Sequence, residues 1–395
     1  MLAVSSLEGR LSITGLSSFA GKGDFSMARR ECRWGILGTA GIARKHWRGI
    51  RTAEDATITA VASRTPQAAQ RFIDECSASV PYPNSVTAVA PYEALLERDD
   101  VDAVYIPLPT AMRHHWVIRA AEAGKHVLAE KPAASDASQV REMLHACKQH
   151  GVQYMDGVMF MHSERLPMLR ALLDDPQNVG RLRRMVSQFS FCGDHEFRTR
   201  NIRVDSRLEP HGCLGDLGWY CIRFFLWVMQ GQLPISVRGR MLSTLHGEGS
   251  PVAVPGEFSA ELIFADGVSA SFYNSFVTEN QQWVHLSGER GYLSVADFVL
   301  PYHGAEVAAT VGNDLFRVQN CDFHMESHQR RHAVTEPSSA MPGAQEVRLI
   351  EEFTQIVLSG QLSDVWPKWT LSTQRVLDAC WHSATNDGQI VELDA

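Results

Sequence analysis

No stretch of this 395-residue chain approaches the roughly 18 consecutive apolar residues that a membrane-spanning helix needs. The densest run, Gly218-Trp219-Tyr220-Cys221-Ile222-Arg223-Phe224-Phe225-Leu226-Trp227-Val228-Met229, is too short and carries Arg223, which predicts a buried helix, apolar on nearly every side. The N-terminal stretch is not expected to be a secretion signal either. The first 30 residues mix Ser, Gly and isolated apolar residues without a continuous apolar region, and Arg29-Arg30 is followed by Glu31-Cys32-Arg33. Residues 1–31 therefore read as a loose extension, with Met27 as the expected start. Basic charge is not in excess: 37 Lys and Arg stand against 45 Asp and Glu, a net charge of −8, which argues against nucleic acid or an anionic membrane as partner. The eight cysteines are scattered without a C-x-x-C pair, so a zinc ribbon, a dithiol redox motif and a disulfide framework are not expected. Buried thiols in a reducing, cytoplasmic compartment are. Internal repeats and low-complexity tracts are absent. What remains is the composition of an ordinary globular protein, 45% hydrophobic and 21% charged, long enough for two or three domains and suited to a small-molecule ligand.

Strand and helix patterns alternate from residue 33 to residue 158, which predicts a doubly wound parallel sheet over a first domain, 32–158. Trp34-Gly35-Ile36-Leu37 reads as a buried strand turning through Gly38-Thr39-Ala40-Gly41-Ile42-Ala43 into a helix. Small residues in that place let a pyrophosphate approach backbone N–H groups at a helix N-terminus. Against G-x-G-x-x-G/A, Gly38, Ala40 and Ala43 hold the three places, and the Ala40 methyl sets the phosphate slightly farther out. The strand Thr57–Ala62 runs into Ser63-Arg64-Thr65, where an acidic residue for a ribose 2′-hydroxyl would stand. Arg between two hydroxyls suits a 2′-phosphate instead, so NADP is preferred over NAD. Next come Asp102–Ile106 as a strand, the loop Pro107-Leu108-Pro109-Thr110 beneath the nicotinamide side of the crevice, and a helix over 116–123. The strand His126-Val127-Leu128-Ala129 ends at Glu130, which places Lys131 at the crevice with Pro132 restricting its backbone. A helix over 136–150 and a strand over 152–158 close the domain.

The pattern changes after a helix over 164–173. Strands are predicted over 182–191, 235–242, 257–264, 268–276, 283–287 and 292–295, with Phe258, Ala260, Leu262 and Phe264 alternating and Asp266-Gly267 as a hairpin turn. This is an α+β second domain, 159–395, with a large, mostly antiparallel sheet open on one face and available for homo-oligomerisation. Residues 300–342 read as irregular and polar, followed by helices over 345–358 and 371–387 and a short strand over 390–393. Cys321, His324, His328 and His332 have spacings that would gather on a helix face, but no apolar period supports that helix and no metal is expected.

Two clusters carry chemistry. The first is Gly124-Lys125-His126-Val127-Leu128-Ala129-Glu130-Lys131-Pro132. In the second, Asn201-Ile202-Arg203 precedes Gly212-Cys213-Leu214-Gly215-Asp216-Leu217-Gly218-Trp219-Tyr220, where Asp216 and Tyr220 are four apart at a helix start and share a face. Taken alone, these are a surface lysine, an N-terminal charge and a core tyrosine. Together with the Gly38–Ala43 loop they resemble the glucose-fructose oxidoreductase, inositol dehydrogenase and MocA-like family over residues 33–395 or nearly so. D-x-G-x-Y, rather than D-x-G-x-H, resembles the branch with glucose-fructose oxidoreductases, dimeric dihydrodiol dehydrogenases and NADP-dependent D-xylose dehydrogenases. The loop Pro109-Thr110-Ala111-Met112-Arg113 departs from the P-N-x-x-H of many relatives.

The resemblance implies hydride transfer between nicotinamide C4 and a carbinol carbon of an aldose or cyclic diol. Tyr220 would exchange the hydroxyl proton, Lys131 would favour the phenolate and bond the reacting oxygen, and Asp216 would fix substrate hydroxyls. A free tyrosine has a pKa of about 10, so the Lys131 charge is needed. Arg203 and His211 are candidate substrate contacts. Gly38, Thr39, Ala40, Gly41, Ile42, Ser63, Arg64, Thr65, Pro107, Leu108, Pro109, Thr110, Glu130 and Lys131 are the expected cofactor contacts. A cofactor-binding regulator without turnover and a nicotinamide-dependent glycosidase are the competing functions.

Overall fold

The computed structural model describes residues 30–394. The expectations of a loose N-terminal extension and of a start at Met27 fall outside them. Six parallel strands form the first sheet, in the spatial order Thr87–Val89, Ala56–Ala62, Cys32–Leu37, Ala103–Ile106, His126–Ala129, Tyr154–Asp156. The chain runs outward in one direction from Cys32–Leu37 and then outward in the other, so the strand order reverses beside that strand and opens a crevice at its carboxyl end. The interior strands are nearly continuous runs of buried Val, Ile, Leu, Ala and Tyr because helices cover both of their faces. Several boundaries differ from expectation, among them the strand expected over 152–158, which is confined to Tyr154–Asp156. The strand before Lys131 ends at Ala129, and the helix expected over 116–123 begins already at Thr110 and runs to Glu122.

The second sheet has nine strands in the order Gln329–Thr335, Glu306–Gly312, Tyr292–Val295, Val277–Gly288, Leu182–Cys192, Ser269–Ser275, Val254–Ile263, Ser236–Leu245, Val391–Glu392. Neighbours are antiparallel except at the centre, where Leu182–Cys192 and Ser269–Ser275 run parallel. Asp266 and Gly267 both take positive φ, 64° and 75°, in the three-residue hairpin loop Ala265-Asp266-Gly267 that leads into Ser269–Ser275, with Phe264 N donating to Val268 O across it. Period-two alternation turns Met185, Ser187, Phe189, Phe258, Leu262, Phe272, Val284 and Leu286 inward. Two helices cover that inner face, Trp219–Val228 and Val365–Thr385, the second longer at its start than the expected 371–387. A Cβ on Gly239 would stand 2.3 Å from the carbonyl oxygen of Cys380, so only glycine lets this helix lie so close to its strand. Residues 306–335, expected to be irregular, form strands, and within them Leu315–Gln319 pairs only with Asp322–Glu326.

The helix Trp219–Val228 also meets the first sheet. Arg223 and Asp156, both without solvent exposure, are paired at 2.6 Å, and Arg223 Nε donates to Thr373 Oγ1 at 2.7 Å. Removing one member of a buried pair leaves the other charge uncompensated at a cost of about 3–5 kcal/mol. Arg223→Met is therefore expected to lower the unfolding free energy in urea by about that amount, while Arg223→Met with Asp156→Leu recovers most of it. A single variant as stable as the parent refutes the pair's role.

Candidate active site

Gly38 leaves its strand at φ 122°, a conformation that favours glycine, and its N–H donates to Ala62 O at 2.9 Å. A side chain there would stand 2.9 Å from Leu108, so the Pro107-Leu108-Pro109 loop is packed directly on this turn. A Cβ on Gly41 meets nothing within 4 Å, and Ala40 O and Gly41 O accept the first N–H bonds of the helix Ala43–Thr52. Open space beside a helix N-terminus, whose dipole favours negative charge, fits a dinucleotide's pyrophosphate. Ile42 is the half-exposed cap residue of that helix. Thr39 Oγ1 lies 3.5 Å from buried Ser63 Oγ. Thr65 caps the next helix, accepting from Ala68 N at 3.2 Å, while Arg64 between them is exposed and has no ion pair among the described residues.

Thr110 is placed otherwise than a cofactor contact requires. Its N–H and hydroxyl both donate to Glu209, at 3.0 and 2.5 Å, and the residue is fully buried. Glu209 thus supplies the negative charge at the start of the helix Thr110–Glu122 that no side chain of that helix provides. Arg113, which stands where the P-N-x-x-H pattern of the resemblance would have His, is buried; it donates to Thr110 Oγ1 and to the carbonyl of Pro132, and lies 4.0 Å from Glu209. The departure from the usual loop is thereby a brace on the Lys131-Pro132 turn, whose peptide bond is cis. Glu130 also faces inward: it accepts from Tyr105 Oη at 2.8 Å and from Lys131 N at 3.3 Å, with His46 Nε2 at 3.5 Å. Burial pushes the Glu130 carboxyl up, but His46, the Lys131 charge and Tyr105 together hold it below its ordinary value.

Lys131, Arg203, Asp216 and Tyr220 are brought together around a cavity of about 320 Å³. Leu214–Gly218 forms a widened π-helical turn before the α-helix that carries Tyr220, and a Cβ on Gly218 would stand 2.9 Å from Asn274 Oδ1. Lys131 Nζ donates to Asp216 Oδ1 at 2.9 Å and to the Asp216 carbonyl at 2.6 Å, and lies 4.4 Å from the centre of the Tyr220 ring. Arg203 Nε donates to Asp216 Oδ2 at 2.8 Å. Asp216 is buried, which alone would raise its pKa; the Arg203 and Lys131 charges overcome this and hold it far below the carboxylate range. For Tyr220 the balance runs the other way. Burial raises its pKa, Lys131 opposes that less strongly, and Glu130 and Asp216 add to the rise. The Lys131 charge favours the phenolate, as expected of it, but less strongly than burial disfavours it.

Phe189, Phe191, Leu217, Asn280, Val299 and Leu300 complete the cavity and escaped the sequence analysis. Alternation marks Phe189 and Phe191 as facing one way, but no local spacing ties Asn280 or Leu300 to Lys131. His211 does not line the cavity: it is buried with its ring edge-on to Trp381, 5.1 Å between centres. His324 lies on a strand and His328 and His332 on or beside another, not on one helix face, and among the described residues no group of three or more His, Cys, Asp or Glu stands ready to hold a metal ion.

A family model described as an oxidoreductase family with an NAD-binding Rossmann fold matches residues 32–158, and one described as the GFO/IDH/MocA C-terminal domain matches residues 168–294. The chain belongs to the GFO/IDH/MocA oxidoreductase family. It is similar to a dTDP-3,4-didehydro-2,6-dideoxy-alpha-D-glucose 3-reductase of Saccharopolyspora spinosa, 33% identical over 68% of this chain and 75% of that one. It is also similar to D-xylose 1-dehydrogenase (NADP(+)) 2 of Haloferax volcanii, 30% identical over 91% of this chain and 99% of that one. Among solved structures, KijD10, a 3-ketoreductase from Actinomadura kijaniata in complex with NADP and TDP-benzene, superposes with a TM-score of 0.72 at 26% identity, over 89% of this chain and 98% of that one. In this family member, as in any protein, a buried histidine reports on acid stability.

Burial holds the His211 imidazole down at about 4, against an ordinary value of 6.5. The unfolded chain binds the proton first, so the stability this histidine contributes is complete above about pH 6.5 and is lost as pH falls through about 4. Asp378, pushed up to about 6, has the opposite slope, so the comparison must be between variants. The parent chain is expected to lose melting temperature relative to His211→Gln across that window; parallel curves would show that His211 is not buried neutral.

Proposed function

We propose that this protein is an NADP-preferring oxidoreductase that interconverts a carbinol and a carbonyl on an aldose or cyclic diol, with residues 32–158 holding the cofactor and 159–395 the substrate. One observation carries this: a lysine fixed by a buried aspartate lies over a tyrosine ring beside the crevice of a dinucleotide fold. Gly38, Thr39, Ala40, Gly41 and Ile42 would hold the pyrophosphate, and Ser63 and Arg64 the 2′-phosphate. When bound, the cofactor supplies or accepts the hydride at nicotinamide C4. Tyr220 gives a proton to the carbonyl oxygen during reduction and takes it back during oxidation. Its raised pKa keeps the proton in place near neutrality, which favours carbonyl reduction, and relatives named as sugar ketoreductases support that direction.

Asp216 has each oxygen already bonded, to Lys131 and to Arg203, so its role is to orient two cations rather than to grip substrate alone. Lys131 keeps one N–H free of its two Asp216 bonds for the reacting oxygen. The Arg203 terminal nitrogens remain for substrate hydroxyls, and Phe189 and Phe191 give an apolar wall for the ring face. We infer further that the open face of the nine-stranded sheet, with half-buried Trp283, Tyr273 and Tyr292, joins two copies of the chain. All eight cysteines are free, which supports a reducing, cytoplasmic site of action. No helix among the described residues is long and apolar enough to cross a membrane.

Reduction of pooled keto-sugars, and oxidation of pooled aldoses, inositols and cyclic diols, is measured at the nicotinamide absorbance. Turnover is expected with NADP, rising with pH in the oxidation direction as Tyr220 becomes easier to deprotonate. Tyr220→Phe and Lys131→Ala should each lower it about a hundredfold or more with NADPH binding intact. Normal turnover in either variant removes that residue from the mechanism; NADPH binding without any turnover sinks the enzyme reading itself. Separately, Arg64→Ala is expected to weaken NADPH binding by about tenfold while leaving NADH binding unchanged, as loss of one charge-assisted bond would. Undiminished NADPH binding refutes the 2′-phosphate assignment.

A further inference from the structure

The strands Glu306–Gly312 and Gln329–Thr335, at one edge of the nine-stranded sheet, do not stop where the sheet does. Glu306 is opposite Thr335 and Gly312 opposite Gln329; farther along, Leu315 is opposite Glu326 and Gln319 opposite Asp322. Every pair keeps the same register, and Asn313 N donates to His328 O at 2.9 Å across the gap, so the two segments are one continuous antiparallel ribbon without a bulge. Beyond Gly312 no other strand among the described residues lies beside the ribbon, because Tyr292–Val295 pairs only as far as that residue. Five residues per strand at about 3.4 Å each carry it roughly 17 Å past the sheet.

This arm is amphipathic. Phe316 is opposite Met325 and Val318 opposite Phe323, so the four share one face, while the other face holds Arg317, His324, Gln319, Asp322 and Glu326 with Leu315 as its one apolar member. The apolar four are 59%, 72%, 55% and 73% exposed, in that order of pairing, with the two Phe rings stacked on each other and on nothing larger. Unbroken alternation places Phe316 and Val318 on the same face as Ala308, Thr310 and Gly312, since Val307, Ala309 and Val311 are buried on the inner side. That shared face is the open one. Tyr292 lies across Gly312, where any Cβ would meet its ring at 2.2 Å, and its hydroxyl accepts from Gln329. His285 stacks on Tyr292 at 4.9 Å, and Trp283 is two residues farther along the same strand face. An aromatic path therefore runs over the open face from the sheet centre to the root of the arm and on along its apolar row.

We propose that the arm is a clasp for a second copy of this chain: with two copies joined through their open faces, each arm lays Phe316, Val318, Phe323 and Met325 on the partner. This rests on the oligomer reading given above. Four exposed side chains amount to a few hundred Å², well short of the roughly 800 Å² per partner of a stable association. Their occupant must take the sheet face as well, and a copy seated on that face is the one whose edge the arm overlies.

The test is the dimer dissociation constant of the full chain by sedimentation over a concentration series, for the parent, Phe316→Ser with Phe323→Ser, Arg317→Ser with His324→Ser, and Trp283→Arg. Far-ultraviolet circular dichroism checks that each folds, as the arm variants should, since Phe316, Arg317, Phe323 and His324 are all exposed. The clasp predicts a constant raised at least tenfold by the Phe pair, unchanged by the polar-face pair and raised further by Trp283→Arg. If Trp283→Arg disrupts the dimer while the Phe pair leaves it unaltered, the clasp is overturned and the open-face dimer stands. A parent chain that is monomeric throughout, or a dimer that neither Trp283→Arg nor the Phe pair weakens, overturns both.

Discussion

The buried pair of Arg223 and Asp156 is the contact on which the site depends. Asp156 ends the strand beside the one that leads to Lys131, with Ala129 directly opposite it. Arg223 is on the helix that carries Tyr220, three residues farther along. Their bond, and that of Arg223 to Thr373 on the second covering helix, therefore fixes the distance between one side chain delivered by the first sheet and another delivered by a helix on the second. Apolar packing of Phe224, Phe225 and Trp219 supplies adhesion without direction. The charge pair supplies the direction, because neither ion tolerates the alternative of standing alone in the interior.

Around the cavity the same logic is repeated at lower burial. Asp216 is shared by two cations from two separate earlier segments of the chain, and a single carboxylate cannot neutralise both. One of the two, Lys131, lies next to Tyr220. Burial nevertheless decides that group's protonation, since it acts on the phenol directly whereas the Lys131 charge is partly cancelled by Asp216 and Glu130. A pocket arranged in this way stores a proton on tyrosine and keeps a cation ready for the oxygen that receives it.

Features set by local chemistry were legible in the sequence. The turn from strand to helix at Gly38, the hairpin at Asp266-Gly267 and the strand leading to Lys131 each follow from residues within a few positions, and the structure has them all. Position in the fold was legible for Lys131, Asp216 and Tyr220 because two motifs were recognised together. What stayed hidden depends on distant partners. The helix at Thr110 starts after two prolines with no capping side chain of its own, and its cap, Glu209, is 99 residues away. The ribbon over 306–335 was read as irregular since its outer half has both faces in water, which removes the contrast between buried and exposed positions that marks a strand. Asn280 and Leu300 reach the cavity only through tertiary folding.

The parallel pair at the centre of the larger sheet has a consequence for how the chain acquires its shape. Leu182–Cys192 separates Ser269–Ser275 from Val277–Gly288, although those two strands are almost contiguous in sequence. They cannot close on each other as a hairpin; each must find the same earlier strand, one on either side. Such pairing across a long intervening segment is slow, and an unpaired central strand is exposed to aggregation while it waits. Synthesis from the N-terminus makes that strand available first, so it acts as a template on which the later strands assemble, and the order of translation matches the order in which the sheet can be completed.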